Sequence, residues 1–172
     1  MSLRKTFAVA ASVVGLSVGL IGTAEAAPRI VTYNSSNTGE FQAAIDKGAQ
    51  IWNASVVNVQ FRKVTGAANV TVSVDNQWPR AYVTSLGRGR WVMGRQAVNE
   101  GHDTVRISSH EFGHLLGLPD RRTGLCTDLM SGASAGTSCK NPNPNAREKA
   151  EVEANFRTGA VTVKAETFED AA

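Results

Sequence analysis

The sequence predicts an α+β fold around a small, twisted, mixed β-sheet. Three observations predict it. Short β-branched runs cluster in the middle of the chain, segments of helical period lie on either side of them, and a further helix follows a long Gly/Ser/Pro-rich stretch. At 172 residues, with 42% apolar and 19% charged residues, the chain suits one domain with a real core and is too short for two well-packed ones. It contains no internal repeat and no Gly/Ser linker.

Residues 1–26 read as an export signal. Arg4 and Lys5 precede a stretch from Thr6 to Ala24 without a charge, and Ala24-Glu25-Ala26 offers small residues at a cleavage site. The many Gly, Ser, Thr and Ala residues argue against a membrane anchor. The expectation is a secreted, extracellular protein without stable membrane association, with a domain at 27–160 and a tail at 161–172.

Within the domain, residues 30–32 form a first strand and 35–38 a turn. Residues 39–53 carry Phe41, Ala44, Ile45, Ala49 and Trp52 at helical spacing. Asn37 or Thr38 can cap that helix, and Glu40 suits its first turn. Residues 57–64 and 69–74 alternate about a turn at Thr65-Gly66-Ala67, and 81–86 and 90–93 do so about Gly87-Arg88-Gly89. Helical period returns over 103–116 through Val105, Ile107, Phe112, Leu115 and Leu116. Residues 118–145 are a loop long enough to imply a function. Residues 146–156 form a last helix, with Glu148 and Lys149 exposed, and 161–170 a weak tail with one strand.

A net charge of +3, spread over both signs, gives no reason to expect nucleic acid as the main partner. Two cysteines exclude a disulfide scaffold and a Cys-rich zinc finger. In an exported chain Cys126 and Cys139 are expected to pair, closing a loop worth about 3 kcal/mol.

The chemistry concentrates in His110-Glu111-Phe112-Gly113-His114-Leu115-Leu116-Gly117-Leu118-Pro119-Asp120. His110 and His114, four apart on a helix, share one face and can converge on a Zn²⁺ ion. Glu111 follows the first ligand and can reach a metal-bound water without ligating. Two histidines hold zinc weakly, so a third ligand is needed with one position open. Asp120 is the candidate. Gly117 can take the left-handed conformation that ends a helix, and Pro119 stops the helix resuming, so the chain can return to the metal. His102, the third histidine, reads as a surface-loop residue.

These residues resemble the snapalysins, small secreted neutral metalloproteases in which the third ligand is aspartate. Gln50-Ile51-Trp52-Asn53, Val57-Asn58-Val59-Gln60, Cys126-Thr127-Asp128-Leu129-Met130-Ser131-Gly132 and Asn141-Pro142-Asn143-Pro144-Asn145-Ala146 carry the resemblance further. It implies a zincin or metzincin-like fold with zinc on His110, His114 and Asp120, and Glu111 as general base. It also implies Met130 packed beneath the metal, a Cys126–Cys139 disulfide, and cleavage before Tyr or Phe in protein or peptide substrates by a monomer. A calcium ion at Asp103 and Val105 is implied too, although Val105 offers only a carbonyl where the family has threonine. The family's tyrosine two residues after the aspartate is Arg122 here, which either replaces it as a charged donor or is simply solvated. Substrate is expected to lie along a sheet edge, with Arg90-Trp91-Val92-Met93-Gly94 either that edge or an ordinary buried strand. Competing readings of the same zinc chemistry are an amidase acting on cell-wall material and a non-catalytic zinc-stabilised binding module.

Overall fold

Alternating burial builds the sheet. In β3 (Val70–Asp75), Val70 and Val72 are buried while Thr71 and Ser73 face solvent. Val31 and Tyr33 of β1 (Arg29–Asn34) and Val59 and Phe61 of β2 (Val59–Lys63) repeat the pattern. The computed structural model describes residues 27–157 and 164–169; the export signal read at 1–26 lies outside them. Adding β4 (Arg80–Ser85), β5 (Arg88–Gly94) and β6 (Glu166–Glu169) completes a six-stranded sheet in the order β2-β1-β3-β5-β4-β6. The first four in that order run parallel; β4 is antiparallel to both β5 and β6. The α+β expectation and its mixed sheet are borne out.

The expected edge is corrected. Residues 90–94 belong to β5, which has β3 on one side and β4 on the other, and Trp91 through Gly94 are all buried. A near-continuous apolar run marks a strand covered on both faces, not an edge. The outer strand of the domain on that side is β4, and the one strand expected in the tail, found at Glu166–Glu169, lies against it.

Helix α1 (Gln42–Ser55) buries Ile45, Ala49 and Trp52 as its period requires, with Phe41 buried just before it. Its start differs from expectation. A 3-10 turn at Gly39–Phe41 precedes it, and Thr38 turns its hydroxyl back to the Ser35 carbonyl at 2.7 Å instead of capping the helix. A short helix, α2 (Arg95–Asn99), escapes periodicity because it buries only Ala97.

Helix α3 (Thr104–Leu115) is buried from Arg106 to Leu115. Phe112 meets Tyr33, Phe61 and Trp91 of the sheet, with ring centroids 4.6–5.4 Å apart. From the other side the Trp52 indole donates to the Ser109 carbonyl at 2.8 Å. The helix is thus held by both the sheet and α1. No helix among the described residues is long and apolar enough to cross a membrane.

The stretch 118–145 is irregular apart from a 3-10 segment at Leu129–Ala135, yet it is anchored. The expected Cys126–Cys139 disulfide is present. The buried Arg106 guanidinium donates to the carbonyls of Asp128 at 2.8 Å and Leu129 at 3.4 Å, and to that of Asn141. In α4 (Ala146–Arg157), Val152 and Phe156 are buried. Glu148, expected to be exposed, is fully buried instead. Its backbone N–H donates to the Asn145 side chain at 2.9 Å and its carboxylate accepts from the Asn145 N–H at 2.7 Å, a reciprocal capping box. That geometry draws the carboxylate inward, against the 3-10 segment.

Candidate metal centre and its comparisons

One turn of α3 separates His110 from His114, and the two rings stand at 89° with centroids 4.6 Å apart. Each is oriented through Nδ1. The His110 Nδ1 lies 3.0 Å from the Leu129 carbonyl and the His114 Nδ1 2.8 Å from the Leu118 carbonyl. A carbonyl only accepts, so each Nδ1 donates its proton and each Nε2 is left facing Asp120. Burial first, and the neighbouring His110 second, push the His114 imidazole down to about 3, so it stays neutral at neutral pH.

The helix ends as Gly117 allows. With φ of 91°, it donates to the His114 carbonyl at 2.9 Å, and Leu118 donates to that of Gly113 at 3.1 Å. This is the Schellman pattern. It brings the Leu118 carbonyl under His114 and returns Asp120 to the site. Asp120 Oδ1 stands 3.2 Å from His110 Nε2 and 3.6 Å from His114 Nε2, while the two Nε2 atoms are 3.0 Å apart. Burial works to raise the Asp120 carboxyl, but the hydrogen bond and charge of His110, with His114 and Arg122, hold it below the ordinary carboxylate range.

Three donor atoms therefore face one point. Ligands on a tetrahedral ion at roughly 2.0–2.1 Å stand about 3.3–3.4 Å from one another. The observed separations bracket that value, and His110, His114 and Asp120 are a group that could hold a metal among the described residues. Glu111 sits beside them on α3, fully buried. Met130 lies beneath the helix at Gly113, where a Cβ would fall 2.7 Å from its sulfur. A larger residue there would displace the Met130 thioether.

Other candidates fall elsewhere. Asp103 spends Oδ1 on the Arg106 N–H at 2.9 Å as the cap of α3, and Val105 lies in the helix's first turn. His102 is half-buried, edge-on to Trp78 with ring centroids 5.7 Å apart. Two readings stand for Arg122, a charged donor and a solvated side chain. It is exposed but engaged, donating to the Glu169 carbonyl at 2.8 Å and lying 3.6 Å from Asp120 Oδ2. Sequence reasoning missed Glu148, whose carboxylate accepts from the Leu129 and Met130 N–H groups at 3.2 and 2.8 Å. The Asn145-x-x-Glu148 spacing was the signal that could have found it. It also missed Arg106 and Phe168, for which no local pattern speaks.

A mixed sheet resting on a buried helix that presents two histidines and a glutamate places this chain in the class of zincin-like proteases. The description of the Streptomyces extracellular neutral proteinase (M7) family matches residues 29–159, and the chain belongs to that family. Relatives named extracellular small neutral protease agree. That of Streptomyces caespitosus is 43% identical over 130 residues, covering 75% of this chain and 98% of its own. Those of Streptomyces lividans and Streptomyces coelicolor are 38% and 34% identical over 74% and 79% of this chain. The aligned parts are 56% and 63% of those two longer relatives. The resemblance to the snapalysins is thereby borne out, as are a protease activity and an extracellular location. The reading as a non-catalytic binding module is set aside.

Proposed function

We propose that this chain is a zinc-dependent endopeptidase in which His110, His114 and Asp120 hold the ion and Glu111 is the general base. The observation that carries it is the convergence of the His110 and His114 Nε2 atoms and one Asp120 carboxylate oxygen at 3.0–3.6 Å. Three atoms of metal-ligating type this close together leave room for a cation placed among them. The chemistry of the donors, two neutral imidazoles and one carboxylate, suits zinc and leaves a fourth position for solvent or substrate.

When bound, the ion supplies Lewis acidity for a water and for the peptide carbonyl. The protein's own groups do the rest. The Leu129 and Leu118 carbonyls fix both rings, and Asp120 lowers the net charge of the centre. Glu111 accepts the proton of the attacking water and hands it to the leaving amine. A small pocket lined by Trp78, Ala97, His102, Ile107, His110 and Ala133 opens beside the first histidine. Asp103 and Arg106 also line it, and its mostly apolar walls, Trp78 among them, are consistent with an apolar side chain next to the scissile bond. All of these groups come from one chain, so a monomer suffices.

Metal analysis and a peptide library test this reading together. The expected result is one zinc per chain, with cleavage before Tyr or Phe that stops with a chelator and returns with zinc. Asp120→Ala should weaken zinc affinity by at least about 100-fold. Chelator-insensitive cleavage overturns the metal assignment, and cleavage of cell-wall amides alone moves the substrate to the amidase reading. A calcium ion on Asp103 Oδ2 and the Val105 carbonyl belongs to the same proposal. Millimolar calcium should raise the melting temperature of the wild type but not of Asp103→Asn, since asparagine keeps the cap. An unshifted wild-type melting curve removes that ion.

A further inference from the structure

Beyond the segment matched by the family, 29–159, the chain returns to its own site. Strand β6 pairs antiparallel with β4, with Arg80 opposite Glu169, Ala81 opposite Phe168, Tyr82 opposite Thr167 and Val83 opposite Glu166. The Phe168 ring stacks on the His114 ring, with centroids 4.1 Å apart and planes 7° from parallel. The Glu169 carbonyl accepts from Arg122, whose guanidinium also lies 3.6 Å from Asp120 Oδ2. A four-residue segment thus touches one candidate ligand directly and a second through an arginine.

An extended peptide that adds a strand to a sheet edge is a recurring mode of peptide recognition, main-chain bonds giving affinity and alternate side chains giving specificity. Here β4 is the outer strand beside the candidate metal centre, and β6 covers it. We infer that β6 is an internal occupant of the substrate cleft: it holds the β4 edge, seats Phe168 over His114, and must leave before a peptide binds. The inference rests on the endopeptidase reading for its consequence but on strand pairing and ring stacking for its geometry.

The occupant is weakly built. Glu166, Thr167 and Glu169 are exposed, and only Phe168 is partly buried. Its advantage is tethering, since a segment on the same chain competes at a raised effective concentration. A dilute substrate meets a closed edge, whereas an abundant one displaces the strand. Loss of the Phe168 ring removes the largest contact and should open the equilibrium about tenfold.

The test uses full-length wild type, Phe168→Ala and Phe168→Trp, the last keeping a ring to stack. Hydrogen exchange reads the β4 amides, and fluorescence anisotropy, with each protein also carrying Glu111→Gln so that the probe is not cut before its Phe, reads binding of a labelled Lys-Ala-Glu-Thr-Phe-Glu peptide, the sequence of 164–169. The expected result is faster exchange in β4 and about tenfold tighter peptide binding for Phe168→Ala, with Phe168→Trp like wild type. Steady-state cleavage should show KM about tenfold lower in Phe168→Ala at unchanged kcat. If β4 exchange and peptide affinity are the same in all three, or if KM rises with loss of Phe168, the inference is overturned. Peptide binding that improves in a chain that cleaves nothing keeps the cleft occupant and rejects the endopeptidase reading instead.

Discussion

Glu111→Gln should lower peptide hydrolysis by roughly 10²–10⁴-fold while leaving the zinc content of the protein unchanged. The substitution keeps the volume and polarity of a side chain buried at 0% exposure, so the surrounding helix has no cavity to collapse into. What it removes is a basic oxygen. An amide cannot take a proton from the attacking water or return one to the amine. Metal retention is expected because Glu111 contributes none of the three converging atoms, which come from His110, His114 and Asp120. The two readouts divide the outcomes. Wild-type turnover means another group serves as base, and loss of zinc means Glu111 supports the ligands. Turnover on a fluorogenic peptide and metal content of the same dialysed sample are sufficient measurements.

What could be read from the sequence follows the range of the interactions involved. The strands β1, β2 and β3 and the helices α1 and α3 were legible because their apolar residues recur every two or three to four positions along the chain itself. The His110–Asp120 centre was legible for the same reason. Its two histidines sit on one helix, and the third donor follows after a glycine turn whose conformation can be anticipated from residue type.

The misses are of a different kind. The edge of the sheet depends on which strand lies outside which, and a chain position says nothing of that. Residues 90–94 precede α3 in sequence, but β4 lies outside them in space. Phe168 is 54 positions from the ring it stacks on, so no pattern within either segment announces the pair. Arg106 was passed over because a charged residue on a helix is ordinarily solvated. Here the carbonyls of an irregular loop, with no ladder of their own, supply the partners that let it be buried.

Glu148 carries the second large expectation. Its Oε1 accepts from Met130 N–H, and its Oε2 accepts from Leu129 and Asn145 N–H. Glu148→Ala leaves three N–H groups without that acceptor, in a place where the carboxylate itself has no exposure. At about 1–3 kcal/mol for each buried donor left unsatisfied, the folded state should lose about 3 kcal/mol or more. The damage should not stop at stability. Leu129, whose N–H binds Glu148, is the residue whose carbonyl orients His110 through Nδ1. Loosening that peptide frees the imidazole to turn, and losses of an outer partner of this sort cost about 10–100-fold in metal affinity. Urea unfolding of the zinc-free protein measures the first effect, and competition with a zinc-binding dye at a temperature where the variant is folded measures the second. Glu148→Gln, which keeps one acceptor oxygen, should fall between the two proteins on both axes. If Glu148→Ala unfolds at the wild-type urea concentration, the carboxylate is a passenger of the 3-10 segment. If it is destabilised but binds zinc as tightly as wild type, the Leu129 carbonyl holds His110 without help from α4.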